Sequence, residues 1–72
     1  MTKEEALKLK HGNRVKYTQT GAVFEFLGFE TKDLEPPLGD GPTVFAKLLD
    51  ENGWIGFIQL RDIGPFELVK DS

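Results

Sequence analysis

Hydrophobic and polar positions alternate through most of the chain, and the pattern is clearest from Thr43 to Leu60, TVFAKLLDENGWIGFIQL. Two runs rich in branched and aromatic residues flank Asp50-Glu51-Asn52-Gly53, in which Gly53 suits a left-handed turn position and Asp50 the first position. A three-residue loop, Glu51 to Gly53, pairs Asp50 with Trp54, Leu48 with Gly56, Ala46 with Ile58 and Val44 with Leu60, so one face is apolar throughout. A loop one residue shorter or longer splits that apolar set between the faces, and a sheet with one buried face specifies its register strongly. The spacing therefore predicts strands over 43–50 and 54–60, joined by a type I turn with a Gly53 bulge. The opposite face carries Phe45, Lys47, Leu49, Ile55, Phe57 and Gln59, and is itself unusually apolar.

Earlier in the chain, Thr2 and Glu5 form a capping-box pattern, which with acidic residues following and Lys8 and Lys10 later predicts a helix over 2–11 stopped by Gly12. Its apolar residues Ala6, Leu7 and Leu9 make a narrow stripe, so the helix needs a surface to dock on. Period-two patterning over 14–18 and 22–31 predicts a second hairpin. With Thr20 and Gly21 as its tight loop, Val15 faces Phe26, Tyr17 faces Phe24 and Lys16 faces Glu25. Gly28 marks a bend or bulge that re-aims Phe29 inward. Lys32 to Pro42, KDLEPPLGDGP, reads as a loop of about eleven residues stiffened by prolines, with Leu34 and Leu38 available to fold back. A single 3₁₀ turn at Arg61 to Ile63 leads past Gly64 and Pro65 to a strand over 66–70, followed by a frayed end at Asp71 and Ser72.

A chain of 72 residues predicts one domain, and at this length only about 60% of the unfolded surface is buried on folding. Without cysteine, neither disulfides nor a cysteine zinc site can staple the fold, so apolar packing must hold it. No apolar run is long enough to span a bilayer and the first residues lack a signal-peptide core, which makes the expected location cytoplasmic, with no membrane partner. The net charge of −3 is uneven: residues 1–20 carry five basic and two acidic groups, whereas residues 21–42 carry one basic and five acidic. A mildly acidic whole argues against tight sequence-independent binding of nucleic acid, while leaving a local basic patch of Lys8, Lys10, Arg14 and Lys16, with Tyr17 beside it.

Five short strands, a long second connection, a tight third turn and a 3₁₀ link to the last strand resemble the SH3-like barrels. The segment Leu9-Lys10-His11-Gly12-Asn13-Arg14-Val15 resembles the lead-in to the first strand of small bacterial Tudor and KOW-type barrels, and Leu60-Arg61-Asp62-Ile63 resembles their link to the last. The resemblance spans residues 9–70. It implies a mainly β fold, a five-stranded SH3-like barrel preceded by a short N-terminal α-helix, and a function among peptide binding, RNA or ribosome binding, methylated-residue reading and subunit docking. Several family features are missing. The 32–42 loop has no aromatic residue, the acidic middle third lacks the basic loops of KOW domains, and alternation sends Tyr17 and Phe24 to the core rather than to an aromatic cage.

The inventory for catalysis is thin, with one histidine, no cysteine and one serine, at the terminus. We therefore expect no enzyme, no cofactor, no metal and no small-molecule substrate; His11 has no second ligand nearby, and Asp50 and Glu51 are explained by their turn. The expected role is a protein-interaction module, docking on a larger protein or on itself. The candidate partner-binding residues are Phe45, Leu49, Ile55 and Phe57 on the second apolar face, with Trp54 at its end. Trp54 has its own alternative, a partly buried lid over one end of the core. The second face also has one, a cover formed by the helix through Ala6 and Leu7 or by the Leu34–Leu38 loop; uncovered, it is a patch of the size that marks a partner. The competing functional reading is a nucleic-acid-binding barrel using Lys8, Lys10, Arg14, Lys16 and Tyr17.

Overall fold

The computed structural model describes residues 1–69; the expectations for Lys70, Asp71 and Ser72 lie outside the described residues. Helix α1 (Lys3–Ala6) is followed by strands β1 (Arg14–Tyr17), β2 (Val23–Leu34), β3 (Gly41–Leu49) and β4 (Ile55–Gln59), a 3₁₀ turn (Leu60–Asp62) and β5 (Phe66–Val69). All five strands belong to one antiparallel sheet in the order β4-β3-β2-β1-β5. β4 and β5 are its two edges and are not hydrogen-bonded to each other, so the sheet is open along that seam.

The β3–β4 hairpin has the expected register, with Leu48 opposite Gly56 and Ala46 opposite Ile58. Its turn explains why. Gly53 takes φ +85° and its N–H donates to the Asp50 carbonyl, while the Asp50 N–H donates to the Trp54 carbonyl. The Asp50 carboxylate accepts from the backbone N–H groups of both Asn52 and Trp54, at 2.8 and 2.9 Å, so the acidic side chain is occupied in holding the turn.

The β1–β2 hairpin departs from expectation by two residues. Val15 lies opposite Phe24, Arg14 opposite Glu25 and Lys16 opposite Val23, because the connection is a four-residue turn, 18–21, in which the Tyr17 carbonyl accepts from the N–H groups of Thr20 and Gly21. A shift of two leaves every side chain on its expected face. The glutamate beside β1 is therefore the neighbour of Arg14, not of Lys16. Further along β2 the register slips between Phe26 and Gly28, the bulge anticipated there, and Phe29 lands opposite Ala46 with its ring edge-on to Phe26 at 4.9 Å, yet it stays exposed at the rim instead of entering the core.

The proline-rich segment is shorter as a loop than its composition suggested. Lys32, Asp33 and Leu34 pair with Thr43, Pro42 and Gly41, extending β2 and β3 into a long ribbon and leaving only residues 35–40 as the connection. Leu34 is half-buried against Gly39, where an added Cβ would come within 2.8 Å of the leucine Cβ; Leu38 stands exposed and does not fold back.

Among the described residues, nine buried side chains form the core, on one side of the sheet and on the elements that cap it: Val15, Phe26, Ala46, Leu48 and Phe66 from the strands, Leu60 and Ile63 from around the 3₁₀ turn, and Ala6 and Leu9 from the N-terminal segment. The helix is only four residues long, with the capping box intact: Glu5 N–H donates to Thr2 Oγ1 and Thr2 N–H to Glu5 Oε1. The Thr2 hydrogen bonds hold the Glu5 carboxyl below its ordinary pKa. Past Ala6 the chain continues through tighter turns, and the left-handed Gly12 (φ +96°) serves a turn over 10–13 leading into β1 rather than a helix stop. Ala6 and Leu9 face the core, whereas Leu7 is half-exposed. The helix thus packs beside the 3₁₀ turn, away from the second face of the sheet.

Candidate interaction surface

Because β4 has one neighbour, its side chains meet solvent at the edge as well as on the faces. Ile55 is 51% exposed and Phe57 43%, both on the second face, where they sit opposite Leu49 and Lys47 of β3. Phe45 and Leu49 lie on the same face and are half-buried. Four of the five predicted partner-binding residues thus share one surface, which neither the helix nor Leu38 covers.

That face also contains a residue the sequence pattern had assigned to the loop. Lys32, on the extended part of β2, places its ammonium 3.8 Å from the centre of the Phe57 ring and 5.7 Å from that of Phe45. The cation lies over both rings, an arrangement worth about 0.5–1 kcal/mol at an exposed site. The alternation Thr31-Lys32-Asp33-Leu34 ahead of Pro36 carries this signal, because the prolines follow the end of the strand instead of sitting in the middle of a loop.

Trp54 behaves differently. It is 74% exposed, so it is not the partly buried lid. The alternation does put it on the core side, but β4 begins only at Ile55, and the open seam leaves nothing above the indole to bury it. It borders an apolar groove of about 320 Å³ whose lining includes Phe24, Leu48 and Phe66 together with Ile55 and Phe57 of the β4 edge. The Phe66 ring that floors this groove packs on Tyr17 at 5.1 Å and Phe24 at 6.0 Å between ring centres.

The basic set predicted for nucleic acid is divided by the fold. Lys8 and Lys10 are exposed in the turns after the helix, and Arg14 and Lys16 on the outer face of β1. There Arg14 lies opposite Glu25 of β2, and Lys16 opposite Glu67 of β5, so the positive charges are interleaved with negative ones. Tyr17 points to the other face, half-buried on Phe66, and its hydroxyl donates to Gln19 Oε1 at 2.7 Å. Among the described residues, no group of three or more His, Asp or Glu side chains is placed to hold a metal ion, and no helix is long and apolar enough to cross a membrane.

The chain matches no protein-family model, no curated protein and no solved structure.

Proposed function

We propose that this protein is a non-catalytic interaction module of the SH3-like small-barrel kind, acting in the cytoplasm as an accessory subunit that docks on a larger protein or on a second copy of itself. The observation that carries this reading is the run Trp54, Ile55 and Phe57. Three large apolar side chains are exposed around one sheet edge, Trp54 on the core side and Ile55 and Phe57 on the second face beside the half-buried Phe45 and Leu49. Tryptophan and phenylalanine concentrate binding energy at interfaces, and contiguous exposed apolar surface of this kind is scarce on proteins without partners. The thin inventory of nucleophiles and bases speaks for binding rather than catalysis, and the interleaved charges on β1 favour a protein partner over a polyanion.

The test is a Phe45→Ser, Phe57→Ser double variant, followed by melting temperature and by apparent mass or co-purifying proteins. A folded variant that has lost its association supports the reading. A melting temperature lowered sharply, with association unchanged, refutes it and makes these residues part of the fold's own core.

A further inference from the structure

The two edges of the sheet are finished differently. At β5, Pro65 precedes the strand and Glu67 projects from it, and the backbone nitrogen of Met1 donates to the Phe66 carbonyl and, at 2.9 Å, to that of Gly64. That edge is occupied and charged, as edges protected against pairing commonly are. At β4, by contrast, the stretch from Trp54 to Leu60 contains no charged residue and no proline. The Asp50 N–H bonds the Trp54 carbonyl, so in an antiparallel ladder alternate residues Gly56 and Ile58 turn their backbone groups toward β3. Ile55, Phe57 and Gln59 then turn theirs outward, and no other described residue bonds them.

We propose that β4 pairs with β4 of a second copy, antiparallel and centred on Phe57, to make a two-fold dimer with one continuous ten-stranded sheet. The inference rests on the interaction-module reading and names its partner. The register is self-complementary: Phe57 meets Phe57, and Ile55 meets Gln59 twice, so all three outward-facing residues find partners together, as an isologous interface requires. On the second face Phe57 then meets its counterpart across the axis, with Ile55 diagonal to the other copy's Phe57, covering apolar surface that the single chain exposes. The same register brings the acidic turn at Asp50 and Glu51 to the level of the other copy's Arg61, which shares its charge with Asp62 at 3.7 Å. Head-to-tail pairing of β4 with β5 is disfavoured by Met1 on the β5 edge, so the assembly closes at two.

Sedimentation equilibrium from the micromolar to the millimolar range should show the mass rising from 8.1 kDa toward twice that value. Over the same range, the amides of Ile55, Phe57 and Gln59 should become protected from hydrogen exchange. A chemically synthesised chain with N-methyl-Phe57, which keeps the side chain but blocks the outward N–H, should stay folded and need at least about tenfold more protein to associate. A chain that remains monomeric throughout overturns the proposal and leaves a heterologous partner as the surviving form of the interaction reading. A dimer whose three amides stay unprotected, or that tolerates the N-methyl group, associates through the sheet face and overturns edge pairing alone. If the Phe45→Ser, Phe57→Ser chain also melts far below the parent without losing association, the interaction reading itself falls.

Discussion

The two faces of this sheet have nearly the same apolar content along β3 and β4, yet only one is a core. On the core side, Ala46 and Leu48 are buried because β2, the N-terminal segment and the residues around the 3₁₀ turn supply Phe26, Ala6, Leu9, Leu60 and Ile63 to close over them. On the other, Phe45 and Leu49 are half-buried, and Ile55 and Phe57 remain open, with the Lys32 ammonium over the Phe45 and Phe57 rings. Hydrophobicity of a strand face thus does not decide burial; what the rest of the chain can bring to that face does. A small domain has only enough material to cover one side.

The strongest test of this asymmetry is Phe26→Ala, which removes a ring at the centre of the covered face. It should cost about 3–5 kcal/mol in urea denaturation, a large share of the stability of so small a domain. Gly53→Val acts on the turn that assigns residues to faces. A β-branched residue resists φ +85°, so the loss should exceed about 1 kcal/mol, and an unchanged melting temperature would mean that the turn does not set the register. Phe57→Ser alone should cost less than about 1 kcal/mol in the monomer, measured at concentrations too low for association. A loss equal to that of Phe26→Ala would erase the distinction between the faces. Smallest of all, Lys47→Ala should fall within about 0.5 kcal/mol. A larger effect would show that the second face is organised by its lysines.

Much of the architecture was legible because a one-residue slip moves every side chain to the wrong face. Asp50 and Gly53 marked the turn, and the apolar set over 44–60 admitted one register. The β1–β2 pairing was not legible in the same way, since a slip of two preserves the faces and apolar pattern is blind to it; only the hydrogen bonds of the four-residue turn at 18–21 settle it. Composition misled over 32–42, where β2 runs on to Leu34 despite the prolines that follow. The short helix offered no way to tell which surface it would dock on, because Ala6, Leu7 and Leu9 could have been buried against either face. The second apolar face was readable as a candidate from its residues. Its clamp by Lys32 and the separate position of Trp54 depend on strand ends and on the open seam, which periodicity does not encode.

The strand order has a consequence for how the chain comes together. β1 to β4 form a meander, each strand meeting its sequence neighbour after a short connection, so these contacts can be made at low entropic cost. β5 alone must return from the far end to find β1, through Val15 with Leu68 and Tyr17 with Phe66. Its docking also completes the floor of the groove and places the carbonyls that Met1 bonds. Folding should therefore proceed as a local zipper followed by one long-range closure. Substitutions at Phe66 should chiefly accelerate unfolding, whereas those in the 50–54 turn should slow folding.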